Sequence, residues 1–513
     1  MKGRMQMDNN FNAFGQIQEP QSQKREYSRL DAVIALLLFP LCYFIADLDI
    51  FSSLGRIAAF TLLFSITLIY MKKSGVNILQ SKCSLALGIS LLLLNFGIFF
   101  TANTAIRLTV LLISFFAFPY FVFAISGNSS EKYPSSLFPL ELIKALFVMP
   151  FGSLGSSLEA ISQNKKSGKI GKGILMVLLG LGIALIPCLI VIFLLSYDEG
   201  FNAMLDNILD FGFFDLPLVI KNIILAFPLA LLLFGMLYSG KSRRFADILN
   251  EEKCKRANDV MGFAPTLLCV SAVIPFILIY LLFFVSQLDY YLSAFSGKLP
   301  EGMTYSSYAK NGFFQLCAVA VINFLIIICI SIFGKKKDGE APLALRIVNS
   351  VFSVATLVLI ATAFSKMVIY IEAYGLTLLR VLPSAFMVFL AIVFVTVLIK
   401  QFVKKTNVVI VSLISAILIC GILAFADVDG VIAKYNTDRY LAGELEHFEI
   451  GMLSDLGDMG IVQLDRITRE SPDIDIRFKA EKHLDEAILY RSDDMGISLP
   501  AIRAEKIIEA RKQ

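Results

Sequence analysis

The chain of 513 residues has no tryptophan and only two histidines, and charged residues make up 17% of it. His447 and His483 have no second candidate ligand at the spacing of a zinc motif. No GxSxG motif occurs, and no histidine precedes His447, which argues against serine-hydrolase chemistry. The sequence therefore indicates no catalytic residue, no metal site and no cofactor, and an enzyme is the less favoured class of protein.

Cysteine is absent from the whole chain beyond Cys420. Of the eight cysteines, seven lie in or beside apolar runs, and Cys254 lies in a basic stretch. No CxxC pair occurs, so neither a disulfide framework nor a cysteine metal site is available to the C-terminal part. The cysteines are therefore interpreted as small buried hydrophobic residues.

The net charge of +4 combines two unequal parts of the chain. From Asp427 onward there are 19 acidic and 12 basic residues, a net charge of −7, so the preceding part carries +11. No nucleic-acid-binding module is present, and a basic surplus between apolar runs is typical of cytoplasmic loops. The charge pattern therefore excludes nucleic acid as the expected partner and favours a lipid bilayer.

Long apolar runs dominate the sequence. Hydrophobic residues make up 57% of the chain, and the mean hydropathy is +0.73. A helix needs about 20 residues to cross about 30 Å of hydrocarbon. The sequence therefore predicts an all-α polytopic membrane helix bundle of about eleven spans. These run over 31–50, 54–71, 83–100, 106–126, 173–196, 217–239, 262–287, 311–333, 347–371, 381–399 and 407–425.

Basic residues alternate between successive loops. The loops on one side hold 27 Lys or Arg residues, and those on the other side hold Lys298, Lys310 and Arg380. Arg56 and Arg107 lie just inside spans at the poorly charged side. Because cytoplasmic loops collect Lys and Arg, we expect a multi-pass protein of the cell membrane with a cytoplasmic N-terminus and an extracytoplasmic C-terminus.

Composition divides the chain into three parts. Residues 1–29 are polar and predict a disordered cytoplasmic tail, and residues 30–425 form the transmembrane domain. Within that domain, 134–162 mixes apolar and charged residues around Pro150, which favours an interfacial amphipathic helix pair, with a re-entrant loop as the alternative. Residues 426–513 are charged, with apolar residues at helical spacing, and predict a small extracytoplasmic domain of four or five short helices.

Ionisable residues within the apolar part are concentrated in the stretch 365–381, SKMVIYIEAYGLTLLRV. Such residues at membrane depth either reach the interface or serve a function. Lys366, Tyr370 and Tyr374 recur every four residues and would share one helix face. This stretch is therefore the strongest functional signal in the sequence, although it specifies no reaction.

Three stretches together resemble one known family: LPEGMTYSSYAKNGFFQL at 299–316, SKMVIYIEAYGLTLLR at 365–380 and AKYNTDRYLAGELE at 433–446. They are similar to the bacterial multipass proteins of domain-of-unknown-function family 4173, with its sister family 4153. The likeness covers roughly residues 170 to 450. It implies an integral membrane protein of bacterial type, and it implies no activity.

The predicted topology brings these three stretches to the outer face of the membrane. We therefore hypothesise one outer-face cluster, in which Asn436 to Tyr440 docks onto the 365–380 turn and Gly375 gives the turn its freedom. The cluster is either a structural clamp or a binding site for an anionic lipid headgroup or an envelope polymer. Its ten residues are Tyr305, Tyr308, Lys366, Tyr370, Glu372, Tyr374, Arg380, Asn436, Arg439 and Tyr440.

Three classes of function remain open from the sequence. The favoured one is a structural or signalling membrane protein whose external domain binds an envelope partner. A transporter or flippase of a small or lipid-like solute is the alternative, although no internal repeat is evident. A membrane enzyme acting on a lipid-linked substrate is a weaker alternative, because only Asp289 and Glu301 are available as acidic residues on an outer loop.

Overall fold

The computed structural model of the protein describes residues 27–48, 52–78, 82–129, 134, 138–164, 191, 195, 216–243, 245, 262–286, 305–335, 341–403, 405–445, 449–491 and 497–512. Within these ranges the chain is helical, and a lone β-bridge joins Ala264 to Gly334. In chain order the α-helices are α1 Arg29–Asp47, α2 Ser53–Lys73, α3 Lys82–Phe96, α4 Thr104–Ile125, α5 Phe138–Ile143, α6 Met149–Gly152, α7 Ser156–Asn164, α8 Leu216–Ser242, α9 Thr266–Ser286, α10 Tyr305–Phe333, α11 Leu343–Tyr374, α12 Leu378–Phe402, α13 Val408–Phe425, α14 Val428–Leu441, α15 Gly451–Ser454, α16 Asp458–Glu470, α17 Ile474–Leu489 and α18 Leu499–Lys512.

Helices α1 to α4 and α8 to α13 are long and apolar enough to cross a membrane, which makes ten candidate spans in the described part of the chain. A bent helix pair within 138–163 raises the number to eleven if it is one span. The predicted polytopic helix bundle is therefore confirmed. Of the predicted spans, 173–196 lies outside the described residues except at positions 191 and 195, and the predicted tail lies outside them up to residue 26.

Two large apolar cores hold the bundle together, and a smaller apolar cluster joins α3, α4, α13 and α14. The first is built from α1 to α4, α8 and the segment around α6, with Phe121 and Phe234 fully buried. The second is built from α9 to α12, with Phe352 and Phe394 fully buried. Helix α13 packs against α3 and α4 on one side and against α12 on the other. Only 11% of its apolar stretch is buried, so α13 connects the two halves while most of its surface faces lipid.

Contacts between helix termini show that the basic loops share one end of the bundle, here called the basic end. Lys241 at the end of α8 forms an ion pair with Asp31 at the start of α1, with Nζ 2.6 Å from Oδ1. Arg346 in the first turn of α11 donates from Nε to the Gln401 carbonyl oxygen at 2.8 Å, near the end of α12. The Ala264 N–H, just before α9, donates to the Phe333 carbonyl at the end of α10.

The other helix termini meet at the opposite end. Asn222 near the start of α8 donates to Asp47 at the end of α1 across 2.6 Å. A Cβ added to Gly97, in the 3-10 turn after α3, would lie 2.8 Å from the Ala424 side chain near the end of α13. The alternation of basic and poorly charged loops along the sequence thus corresponds to two physical ends of one bundle.

The segment 138–164 contains the expected helices, and its details differ from the prediction. The chain bends by 43° between Gly152 and Ser156, two residues beyond Pro150, which lies inside α6. Glu141 and Lys144, expected at an interface, are both 2% exposed. They are buried because α5 to α7 pack onto the bundle: Ser239 of α8 donates to the Met149 carbonyl at 2.8 Å. The re-entrant loop therefore remains an alternative to the interfacial pair.

Helices α14 to α18, called the C-terminal segment, have an apolar core of their own. Leu453, Leu464, Ile467 and Leu484 are fully buried in it. The described part of this segment has five helices, where the sequence predicts four or five, and the chain breaks near Gly443, Gly457 and Pro472. Asp427, between α13 and α14, has φ +48°, a left-handed conformation that redirects the chain as it leaves the last span.

Candidate functional site

The turn after α11 lies against α14. Gly375 follows the last residue of α11 and has φ +77° and ψ −173°. Residues other than glycine rarely adopt this backbone conformation. A Cβ at this position would lie 2.4 Å from Oδ1 of Asn436. Glycine is therefore needed here both for the backbone conformation and for the close approach of α14.

Asn436 joins α14 to this turn through both groups of its side-chain amide. Its Oδ1 accepts from the Leu376 N–H at 2.7 Å, and its Nδ2 donates to the Leu376 carbonyl at 2.8 Å. Asparagine offers one acceptor and two donors, so its amide satisfies both backbone groups of a single residue. The side chain is nearly enclosed, with 2% of Asn436 exposed. A buried two-bond contact of this kind fixes both distance and orientation.

Arg439, one turn further along α14, makes the second contact with the end of α11. Its Nη1 donates to the Glu372 carbonyl oxygen at 2.9 Å. The same guanidinium lies 3.3 Å from Oε2 of Glu444 and is stacked 5.6 Å from the ring centre of Tyr435. The carbonyls of the last helical turn lack intrahelical partners and carry partial negative charge, so a cation there is stabilising.

Arg380, in the first turn of α12, caps the same helix from the other side. Its Nη1 donates to the carbonyls of Tyr374 at 3.0 Å and of Gly375 at 2.5 Å. The guanidinium lies 4.0 Å from the ring centre of Tyr370, within the range of a cation–π contact. The rings of Tyr370 and Tyr374 meet edge to face at 5.3 Å. The end of α11 is thus held by two arginines and an asparagine.

The remaining residues of the outer-face cluster are placed less centrally. Lys366 is 7% exposed and lies two turns below the end of α11, within the second core. Glu372 contributes its carbonyl, while its side chain is exposed. Burial, together with the charge of Asp473, raises the pKa of Tyr440. Tyr305 and Tyr308 lie in the first turn of α10, and their side chains are outside the described part.

A second attachment of the C-terminal segment was not predicted from the sequence. Asn103, the N-cap of α4, donates from Nδ2 to Oδ1 of Asp429 at 2.8 Å. Next to it, Arg107 is 1% exposed and donates from Nε and Nη2 to the Thr101 carbonyl at 3.0 and 2.8 Å. The only sequence signal was DVDG directly after the last apolar run, with Arg107 just inside an earlier one.

Three buried carboxylates surround this second attachment. Asp458 is 1% exposed and is bound by Nε of Arg491 at 2.8 Å. Asp427 lies 3.6 Å from Nη1 of Arg503. Burial, together with the Asp429 and Asp458 carboxylates, raises the pKa of Asp427 to about 6, while the Gly430 N–H and Arg503 oppose the rise. This junction therefore contains a carboxyl group that titrates close to neutral pH.

The chemistry available to the outer-face cluster is that of binding and attachment. Among the residues that the structure describes, no three His, Cys, Asp or Glu side chains are grouped closely enough to hold one metal ion. Arg380 and Arg439 are both directed to backbone carbonyls. The geometry thus resembles a joint between two parts of the chain more closely than an open anion site.

Comparison with known proteins assigns the chain to a family. The family model described as domain of unknown function DUF4153 matches residues 33–467, which is most of the chain and more than the 170 to 450 covered by the resemblance. This is the sister family named in that resemblance, while kinship to family 4173 stays a prediction. No curated protein and no solved structure matches the chain. The bundle of apolar helices and the match together identify the chain as an integral, multi-pass membrane protein that belongs to the DUF4153 family.

Proposed function

We propose that this protein is a structural or signalling protein of a bacterial cell membrane, which holds its C-terminal segment rigidly outside the cytoplasm for an envelope partner. The observation that carries the proposal is the buried two-bond contact between Asn436 and Leu376. A flexible tether would not need it, because a chain leaving α13 is already anchored by its covalent connection. A fixed orientation is what a presented surface requires.

The second attachment supports the same proposal. Asn103 and Asp429 join the C-terminal segment to the first half of the bundle, and Asn436 joins it to the second half. Two contacts on different halves prevent rotation of the segment about either one. The structural clamp is therefore favoured over a headgroup site for the outer-face cluster, since Arg380 and Arg439 donate to the carbonyls that a ligand would have to replace.

The clamp is tested by comparing Asn436→Ala with Lys434→Ala in intact cells. Lys434 lies on the exposed face of the same helix, so its substitution leaves the joint unchanged. With Asn436→Ala we expect an external protease to release the C-terminal segment rapidly, and with Lys434→Ala we expect the resistance of the wild type. Equal resistance of the two variants would contradict the clamp.

The presentation of the segment to a partner has a separate test. A membrane-impermeant amine crosslinker applied to intact cells should join the exposed lysines of α17 and α18 to a partner and give one discrete larger species. Asn436→Ala should lose that species while the amount of protein in the membrane is unchanged. Absence of the species from wild-type cells would contradict presentation, and its persistence in Asn436→Ala would show that a fixed orientation is unnecessary.

A further inference from the structure

An amphipathic cavity of about 460 Å³ lies at the basic end, far from the outer-face cluster. Its wall is formed by the end of α2, the first turns of α3, the last turn of α4, the first half of α13 and Arg243 after α8. The volume is within the range of about 300–1,000 Å³ that ligand sites occupy. Five helix termini converge here. Because the ends of helices carry backbone groups without intrahelical partners, polar groups are available around the cavity at this end of the bundle.

The two ends of this cavity differ in polarity. At the level of the loops the wall carries Asn77, Ser129 and Arg243. Toward the middle of the bundle it is lined by Leu87 of α3 and by Ile414 and Leu418 of α13. From Ile410 to Leu418 the wall follows α13 for about 12 Å, at about 1.5 Å per residue. A polar mouth continuous with an apolar channel of that length suits a molecule with a polar head and a hydrocarbon chain.

Arg243 is the single charged side chain among the described residues of the wall. Its backbone has φ +48°, and its guanidinium lies over Gly127, where an added Cβ would be 2.5 Å from Nη2. Nε donates to the Ser126 carbonyl at 3.3 Å. Within the described part of the chain, no hydrogen-bond acceptor is found for the two terminal nitrogens. The hydrogen bond from Nε therefore positions the guanidinium, and its two terminal nitrogens are directed away from Ser126.

Among the described residues, one carboxylate lies close to the wall, and it is already satisfied. Glu141 is 2% exposed and accepts hydrogen bonds from Tyr120 at 3.2 Å and from Ser129 at 3.1 Å. Both hydroxyls belong to the cavity wall, so they shield the carboxylate from the cavity. The charge carried by the described part of the mouth is that of Arg243, which favours an anionic group such as phosphate.

The lining of α13 identifies the source of the ligand. Ile414 and Leu418 are 59% and 60% exposed, although they lie in the middle of a membrane span. The cavity is therefore open to the hydrocarbon of the bilayer along α13 as well as to the headgroup level at Arg243. A water-soluble anion would leave that apolar surface uncovered, whereas a phospholipid would cover it.

We propose that this cavity is a phospholipid-binding site, in which the lipid phosphate binds Arg243 and one acyl chain lies along α13 beside Ile414. Arg243 contributes a charge-assisted, bidentate contact, and the chain contributes apolar burial. The site is independent of the outer-face cluster, since it is formed at the other end of the bundle.

The test uses the purified full-length protein in detergent micelles, with phosphatidylglycerol as the probe and native mass spectrometry as the measurement. Ile414→Trp should fill the channel and reduce binding of the tightest lipid by at least about tenfold. Ile422→Trp is the matched control, because Ile422 is also 59% exposed on α13 but lies outside the cavity. Equal binding by the two variants would overturn the proposal.

The headgroup contact is tested by Arg243→Ala against Lys73→Ala, an exposed cation at the same end. Arg243→Ala should weaken phosphatidylglycerol binding roughly tenfold, while Lys73→Ala should leave it unchanged. Inorganic phosphate at millimolar concentration should not displace the lipid. Displacement by phosphate, together with unchanged binding in Ile414→Trp, would mean a soluble-anion site and would overturn the lipid assignment.

Discussion

Two contacts at opposite ends of the bundle use charged side chains in different ways. At the basic end, Lys241 and Asp31 pair side chain to side chain inside the first core, and the Tyr70 hydroxyl adds a bond to the same carboxylate at 2.7 Å. At the opposite end, Arg380 and Arg439 donate to backbone carbonyls at the end of α11. The Lys241–Asp31 pair neutralises charge within the bundle, and the two arginines use charge to join separate parts of the chain.

This difference has a physical consequence. An ion pair that is buried inside a bundle leaves a costly charge behind when one partner is lost. A contact between a side chain and a backbone carbonyl depends instead on the geometry of both segments, so it is lost when either one shifts. The stability contributed by the Lys241–Asp31 pair should therefore depend on charge, and that contributed by the contacts at the end of α11 on backbone conformation.

The largest expected effect belongs to the basic end. Lys241→Ala leaves Asp31, whose side chain is fully buried, without its cation. We expect the free energy of unfolding to fall by about 3–5 kcal/mol, as for other buried pairs that lose one member. Thermal unfolding in detergent micelles measures it, with the exposed Lys73→Ala as control. A loss under about 1 kcal/mol would show that the pair is effectively solvated.

The next effect is a pH dependence at the opposite end. The pKa of Asp427 is about 6, above its usual value of 3.8, so the folded protein binds the proton more tightly than the unfolded chain. Protonated Asp427 therefore contributes up to about 3 kcal/mol to the free energy of unfolding. This stabilisation is fully present below pH 4 and is lost as the pH rises through 6. Burial also raises the pKa of the Asp429 carboxyl. Its ionisation should therefore lower the stability further as the pH rises.

Asp427→Asn should remove that part of the pH dependence. We expect the variant to equal the wild type in stability near pH 4 and to be more stable than the wild type at pH 7.5. Asp485→Asn, an exposed position on α17, should leave the dependence unchanged. Thermal midpoints measured from pH 4 to pH 8 provide the comparison, and a wild-type stability that rises over this interval would contradict the burial of Asp427.

A smaller effect distinguishes the cost of backbone strain at Gly375 from the cost of losing the Asn436 contact. Gly375 and Gly443 have nearly the same φ, +77° and +74°, but a Cβ at Gly443 would meet no atom within 4 Å. Gly443→Ala should therefore cost about 1 kcal/mol through strain alone. Gly375→Ala should cost about 1–2 kcal/mol more, because it also displaces the Asn436 amide. Unfolding of the two purified variants in micelles measures the difference, and equal costs would mean that the Asn436 contact contributes nothing.

The smallest expected effect concerns an exposed ion pair of the C-terminal segment. Arg466 pairs with Asp438 of α14 and with Glu470, and all three side chains are 31% or more exposed. Arg466→Ala should lower stability by less than about 1 kcal/mol, and the loss should shrink further in high salt. A larger, salt-independent loss of stability would place this pair among the essential contacts between α14 and α16.

Run length alone predicts the ten described spans, because a stretch of about 20 apolar residues has few other stable environments. The outer-face cluster could be proposed for a related reason, since alternating loops assign each stretch to one side of the membrane. This placed Asn436 and Arg439 near the turn at Gly375. The sequence could not show that Arg439 binds the backbone carbonyl of Glu372 instead of its carboxylate.

What the sequence could not reveal is pairing over long separation. Asn103 and Asp429 are 326 positions apart and carry no periodic signal. The burial of Glu141 and Lys144 was also missed, because mixed charges in a short segment look interfacial until the neighbouring helices are placed. Such contacts depend on how helices pack against one another, which local composition does not determine.

The central claim is that the C-terminal segment and the basic loops lie on opposite sides of the membrane, with the segment outside. Lys506→Cys on α18 and Lys73→Cys at the end of α2 test it directly, because both positions are exposed. A membrane-impermeant maleimide should label Lys506→Cys in intact cells, and should label Lys73→Cys only after the membrane is permeabilised, with the wild type giving the background. Labelling of Lys73→Cys in intact cells, or protection of Lys506→Cys there, would contradict the account.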